Sequence, residues 1–211
     1  MNVSILDLNC GNLSSIYNSL KFLDVNVKVT NDKSSINASD AIVFPGNGNF
    51  NFAMNNLIKA GFDDLLYENI ISKKKPFLGI CVGFQVLFSS SNEDGVKTKG
   101  LDFFKSDLKL IENKNYTKYF SLPHIGWNTV RTINSGGILS KVEGELDFYF
   151  MHSYAVVDSS QLYATSICEY GEEFISSIEK DNITAVQFHP EKSHDTGIKL
   201  LNHWLKKNVK N

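Results

Sequence analysis

Arginine is almost missing from this chain of 211 residues: Arg131 stands alone among 21 basic side chains. A site built on several bidentate clamps for carboxylate or phosphate groups is therefore not expected. The three cysteines, Cys10, Cys81 and Cys168, are far apart and odd in number, with no C-x-x-C. Neither a disulfide framework nor a zinc knuckle follows from that spacing. Charge of one sign is lacking too: the formal balance is −2, which gives no electrostatic support to a nucleic-acid or acidic-membrane partner. No apolar run approaches the length of a membrane span. The opening "MNVSILDLNCGN" is too short in its apolar part for a signal peptide and has no basic run before it. The expectation is a soluble, reduced, cytoplasmic protein that needs no metal or cofactor. What the chain does have is 42% hydrophobic residues against 21% charged, enough to bury a full core. With no repeat, no linker and no segment of disordered composition, one domain over residues 1–211 is expected.

The first half alternates between two periods. Val3, Ile5, Leu6 and Leu8 predict a strand closed by the turn-like "NCGN". Leu13, Ile16, Tyr17, Leu20 and Leu23 then repeat at helical spacing, with Asn12 placed to cap the helix. "VNVKV" alternates as a strand, and "AIVF" is a short apolar run that stops at Pro45. Helical stretches carry Phe52, Met54, Leu57 and Ile58, then Leu65, Leu66 and Ile70. "FLGIC" predicts another buried strand, and "VGFQVLFSS" a helix after it. The second half is strand-rich: "LKLI", "WNTVR", "DFYFMHSYAVV", "LYATSI", "FISSIE" and "ITAVQF". A last helix, Gly197 to Lys207, places Ile198, Leu201, Trp204 and Leu205 on one face. The expected fold is α/β: an open, mostly parallel sheet flanked by helices, with an added antiparallel section. Glu112 to Tyr119, "ENKNYTKY", is either a mobile functional loop or a solvated turn.

Cys81 stands in "GICVG", with one glycine two residues before it and another two residues after. That is the cysteine counterpart of a strand–turn–helix nucleophile elbow, where a tight turn demands small neighbours and helix amides face the sulfur. A buried structural cysteine is the other reading of the same residues. "ITAVQFHPE" bears on the choice. An apolar strand runs into His189, Pro190 stops regular pairing, and Glu191 follows. A thiol of free pKa about 8.5 needs a base, and the base needs an acceptor on its far nitrogen. "FPGNGNF" ends a strand in a glycine loop whose N–H groups either stabilise an oxyanion or simply make a turn.

"PGNG", "GICVGFQVLF" and "QFHPEKS", in that order, resemble the motifs of class I (triad-type) glutamine amidotransferases, whose fold is flavodoxin-like. "GNLSSI", "PHIGWN" and "FYFMHSY" make the chain similar to the glutaminase subunits of imidazole glycerol phosphate synthase, from residue 7 to about residue 197. The resemblance implies that Cys81 is the nucleophile, that His189 moves its proton and that Glu191 orients His189. It implies an oxyanion hole from the amide of Val82 and the peptide around Gly46 and Asn47. Glutamine would be held by Gln85, Glu93, Gly48 and the backbone at Ser153 and Tyr154; Glu93 is otherwise a surface acid. Ammonia would pass through a tunnel to a (βα)₈-barrel cyclase that makes imidazole glycerol phosphate and aminoimidazole carboxamide ribotide in histidine biosynthesis. Asn12, His124, Trp127, Asn128, Tyr149 and Lys192 match partner-facing positions, with Trp127 and Tyr149 open to a core reading instead. An alternative is the same chemistry feeding a sugar-modifying enzyme of surface polysaccharide synthesis.

Three departures from the usual pattern stand out: Asn47 where an apolar residue is common, His194 where glutamine is common, and Cys-Val-Gly-Phe for Cys-Leu-Gly-Met. In the family the P-G-x-G peptide can also sit with its carbonyl toward the oxyanion site. Asn47 lies between two glycines and tolerates positive φ, which predicts a loop that turns easily.

Overall fold

The computed structural model describes residues 1–115, 118–158 and 163–208. Its first half alternates β1 (Asn2–Leu6), α1 (Ser14–Phe22), β2 (Asn26–Thr30), α2 (Lys33–Ala38), β3 (Ala41–Phe44), α3 (Phe50–Lys59), α4 (Phe62–Leu66) and β4 (Phe77–Ile80). A π-helical turn, Tyr67–Ser72, extends α4. After α5 (Val82–Gln85) come β5 (Phe88–Ser91), β6 (Thr98–Lys99), β7 (Phe104–Leu110), β8 (His124–Thr132) and β9 (Asp147–His152). The chain closes with β10 (Tyr154–Ala155), β11 (Ala164–Tyr170), β12 (Glu172–Lys180), β13 (Ile183–Val186) and α6 (His194–Asn208).

Nine strands form one sheet in the order β2-β1-β3-β4-β13-β12-β11-β8-β9. The first five are parallel, and every pairing from β13 onward is antiparallel. A smaller sheet, β10-β7-β5-β6, lies apart from it. The expected α/β architecture is therefore present, with the antiparallel section continuing the same sheet. The core lies on both faces: Phe44, Phe50, Phe84 and Phe88 on one, Ile80, Phe148, Phe188 and Trp204 on the other.

Local chemistry explains most boundaries. Asp32 accepts from the N–H groups of Ser34 and Ser35 to start α2, and Asn49 accepts from Phe52 to start α3. Asn12 accepts from Ser14 N–H at 2.9 Å, one position ahead of where α1 is entered. The first strand stops at Leu6, short of Leu8. Because α3 begins at Phe50, its inward stripe is Phe50, Ala53, Met54 and Leu57, while Phe52 and Ile58 face solvent. In α6, Leu200 joins Leu201, Trp204 and Leu205 in the core, and Ile198 is only half-buried.

One element differs in kind. The expected helix over "VGFQVLFSS" ends after a single turn at Gln85. The carbonyls of Val86, Leu87 and Phe88 instead accept from Leu101, Phe103 and Asp102, so tertiary bonds replace the helical ones. Apolar periodicity alone does not separate these two outcomes.

In the segment 112–119, Glu112 N–H is bonded to the Glu172 carboxylate at 2.7 Å, and residues 116 and 117 lie outside the described residues. Residue 162, at the start of the expected "LYATSI" strand, also lies outside them. Among the described residues, no helix is long and apolar enough to cross a membrane.

Candidate active site

Strand register places the chemistry. β4 and β13 run parallel with Ile80 beside Val186, so Cys81 and Gln187 leave the sheet side by side. Cys81 N–H still donates to Val186 O at 2.9 Å, and then the backbone breaks away at φ 53°, ψ −105°. A non-glycine residue held there costs about 1–3 kcal/mol, which the surroundings must offset. Close packing imposes it. A Cβ on Gly79 would stand 2.5 Å from Gly83 O, and one on Gly83 would stand 1.8 Å from Phe44 O. The backbone does make a strand–turn–helix elbow at Cys81, but α5 is one turn long. Its amides donate to oxygen rather than to the sulfur, Val82 N–H to Gly46 O and those of Phe84 and Gln85 to Cys81 O, and no long helix dipole points at Cys81.

His189 Nδ1 lies 2.7 Å from Glu191 Oε1, and both side chains are almost wholly buried. The backbone is clamped around them. His189 N–H donates to Tyr149 O at 2.8 Å, Ser193 Oγ donates to His189 O at 2.6 Å, and Tyr149 N–H donates to Ser193 Oγ at 3.0 Å. Gly197 lets α6 close onto this turn, since a Cβ there would meet Pro190 O at 1.8 Å. Burial disfavours a charged imidazole, but the charge of Cys81, joined by Glu191, outweighs it and raises the His189 pKa well above the ordinary range, while buried Nε2 has no hydrogen-bond partner among the described residues. His189 is thus disposed to keep a proton taken from the thiol. Cys81 itself is 3% exposed, with Sγ 3.8 Å from Met151 O and 3.7 Å from Gln187 Nε2.

The amides expected to face an oxyanion are already engaged. Val82 N–H donates to Gly46 O at 3.3 Å, and Asn47 N–H donates to Cys10 O at 3.0 Å. The carbonyl of Gly46, and not the amide of Asn47, faces Val82. Asn47 and its flanking glycines all keep negative φ, so the positive-φ tolerance expected of Asn47 is not used in this arrangement. Its side chain rests against Gly11, where a Cβ would come within 1.9 Å of Asn47 Oδ1. Gly48 is exposed and has room for a side chain.

Of the expected glutamine contacts, Gln85 is buried and its Nε2 donates to Tyr154 O at 2.9 Å and to Gln187 Oε1 at 3.1 Å. Glu93 is half-buried, not a free surface acid; Oε2 accepts from Phe50 N–H at 2.7 Å at the start of α3. Burial raises its pKa, the Phe50 amide opposes that, and Asp94 adds to it. The backbone at Ser153 and Tyr154 is pinned to the second sheet: Ser153 O accepts from Ile111 N–H, and Tyr154 pairs with Leu110.

The partner-facing set divides. Trp127 is 48% exposed, stacked on His194 at 5.0 Å and edge-on to Tyr149, whose ring lies 5.8 Å from Lys192 Nζ. These four residues make one surface, which removes the core reading of Trp127. His124 does not reach it. Alternation along β8 turns His124 inward, 2% exposed between Phe150 and Tyr170, while Ile125 and Trp127 turn out. In this arrangement His124 offers almost no surface of its own on that face. Asn128 is half-buried, bonded to Glu169 O at 2.9 Å, and Asn12 is exposed ahead of α1. Sequence reasoning passed over Gln187, His152 and Ser193. The available signal was Gln187 itself, a polar residue inside an apolar run that ends at the histidine.

Residues 4–208 match the family model of class-I glutamine amidotransferase. The chain is 37% identical over 209 residues to imidazole glycerol phosphate synthase subunit HisH of Pelagibacter ubique (strain HTCC1062), covering 97% of this chain and 99% of that one. It is 40% identical over 204 residues to the same subunit of Methanocaldococcus jannaschii, covering 96% and 98%. A crystal structure of a glutamine amidotransferase superposes with a TM-score of 0.73 at 15% identity over 98% of both chains, which shows the same fold. The chain belongs to the class-I glutamine amidotransferases and, within them, to the HisH family.

Proposed function

We propose that this protein is the glutaminase subunit of an imidazole glycerol phosphate synthase, working as one domain in the cytoplasm and paired with a (βα)₈-barrel cyclase of histidine biosynthesis. The observation that carries the reading is the buried His189–Glu191 pair at 2.7 Å, set beside Cys81 on its strained elbow. Cys81 gives its proton to His189 and attacks the side-chain amide carbon of glutamine. The tetrahedral adduct collapses as its C–N bond breaks, His189 returns the proton to the leaving nitrogen, and ammonia departs from a thioester. His189 then takes a proton from water, whose oxygen attacks the thioester carbon, and glutamate and the thiol are released. Glu191 holds the imidazole in the tautomer this requires. Gln85, Glu93, Gly48, Ser153 and Tyr154 are assigned to the glutamine site; Trp127, Tyr149, Lys192, Asn12 and Asn128 are assigned to the partner face, with His124 supporting that face from beneath.

The engaged amides of Val82 and Asn47 support a subunit that is slow on its own. Turning the Gly46–Asn47 peptide would free Val82 N–H and present a second donor, each worth about 10²–10³ in rate. The polysaccharide alternative is not favoured, because relatives matching nearly end to end carry the HisH name. The test is to mix the protein with candidate barrel cyclases and sugar-modifying synthases and to measure glutamate released from glutamine. A barrel cyclase should raise the rate at least about 10²-fold. Activation by a sugar-modifying synthase alone would overturn the pathway reading.

A further inference from the structure

Gln187 is fully buried, one residue past the last paired position of β13. Its backbone is fixed by Gln187 N–H donating to Ser176 O at 2.9 Å. Its side chain joins a chain of amides whose orientation follows from chemistry alone. Tyr154 O can only accept, so the Gln85 atom 2.9 Å away must be Nε2. That same Nε2 also lies 3.1 Å from the Gln187 side chain, which must present Oε1 to it. The other end of Gln187 is then Nε2, and it faces Cys81 Sγ at 3.7 Å. His152 Nδ1 donates to the same Tyr154 carbonyl at 3.0 Å, so the far end of the chain is anchored as well.

Two neighbours of the sulfur pull in opposite directions. Met151 O, at 3.8 Å, accepts from the neutral thiol and repels a thiolate. Gln187 Nε2 donates, and a donor to the charged form favours that form. We propose that Gln187 is a positioning residue for the glutaminase reaction: it fixes the Cys81 sulfur and supplies the hydrogen bond that favours its thiolate, held in orientation by Gln85 and the Tyr154 carbonyl. Because Tyr154 belongs to the segment assigned to the glutamine site, the chain also ties the sulfur's environment to that backbone. This inference rests on the nucleophile reading of Cys81.

The groups that titrate around the sulfur are His189 directly, with Glu191 behind it and His152 within electrostatic reach of His189. The experiment must separate the Gln187 contribution from theirs. The full chain is treated with iodoacetamide across pH 5–10, and the alkylation rate of Cys81 is followed against a Cys81→Ala background. Cys10 and Cys168 stay silent near neutrality, because burial pushes their thiols up to about 11 and about 12. Gln187→Met keeps length and apolar volume but removes the donor. Its rate at pH 7 should fall about 3- to 10-fold and its profile should move to higher pH, since a lost hydrogen bond to a charged group has an effect of this order. Gln187→Glu keeps the oxygen that Gln85 bonds, covering the case in which Gln187→Met does not fold; because its new carboxyl also opposes a thiolate, its profile should move the same way and further. A folded variant whose profile superposes on wild type overturns the role of Gln187. Glutamate release that survives in Cys81→Ala would instead overturn the nucleophile reading, so the two failures are distinct.

Discussion

The parallel and antiparallel halves of the long sheet contribute to the site in different ways. The parallel half works through backbone: the β4 elbow at Cys81, the loop after β3 with its engaged amides, and the turn after β1 whose Cys10 carbonyl holds Asn47. Its requirements fall on glycine, because carbonyls approach to within distances a Cβ cannot tolerate. The antiparallel half, entered through β13, which pairs parallel with β4 and antiparallel with β12, works through side chains. The turn after β13 carries Gln187, His189 and Glu191 and β9 carries His152, and burial and clamping from β9 tune them. The contrast shows where substitutions should act. In one half geometry fails first; in the other, proton chemistry does.

The largest effect should come from the side-chain half. His189→Ala should lower kcat for glutamate formation in the synthase complex by at least about 10³-fold, because members of a nucleophile–base unit fail together. Glu191→Gln should cost less, about 10–100-fold, since the imidazole loses its charged partner but not its neighbour. Near-normal turnover in His189→Ala would require another base.

The corresponding break in the backbone half is Gly83→Ala, whose methyl would stand 1.8 Å from Phe44 O. Overpacking against backbone should reduce stability by about 3 kcal/mol, read as a lower denaturant midpoint. An unchanged midpoint would mean that the elbow is loosely held.

Acid titration sharpens the comparison. Burial lowers His124 to about 4 and His152 to about 3, with His124, then His189, adding to the shift of His152 and its bond to Tyr154 opposing. Both folded values lie below the unfolded one. The native state therefore stays neutral while the unfolded chain takes up protons, and stability present above about pH 6.5 is lost as pH falls toward 4. Each histidine contributes up to about 1.4 kcal/mol per pH unit. His189 is shifted the opposite way and acts above pH 6.5, while the lowered carboxylates of Asp32, Asp102 and Asp107 act toward pH 4 and below, so the slope between about pH 6 and 5 reports mainly the other two. His124→Phe, which preserves the stack between Phe150 and Tyr170, should roughly halve that slope. An unaltered slope would place the acid lability elsewhere.

The smallest effect concerns the loop after β3, within the parallel half. Freeing the Gly46–Asn47 peptide needs unusual φ, which asparagine enters more readily than valine. Asn47→Val should reduce partner-free glutaminase activity a few-fold, with the gap narrowing in the complex. Equal basal rates would make Asn47 neutral.

Much of this was legible in the residues. The alternation of apolar runs with helical repeats identifies the parallel half, and "PGNG", "GICVG" and "HPE", in family order, are the motifs on which the proposed chemistry rests. The misreadings share one physical cause: tertiary hydrogen bonds are not written in local periodicity. The helix after Cys81 stops because residues 101–103 claim the carbonyls of Val86 to Phe88. His124 turns inward because β8 alternates from a register that only the fold sets. Gln187 reads as an interruption of an apolar strand until β4 is placed beside it.

The central claim is that Cys81 is the point at which both halves act on glutamine. The most direct measurement compares Cys81→Ala with wild type in the complex with the proposed barrel cyclase, driven first by glutamine and then by free ammonia. The predicted result is loss of glutamate formation by at least about 10³-fold, with ammonia-driven synthesis and complex formation unchanged. Continued glutamate release from Cys81→Ala would contradict the account.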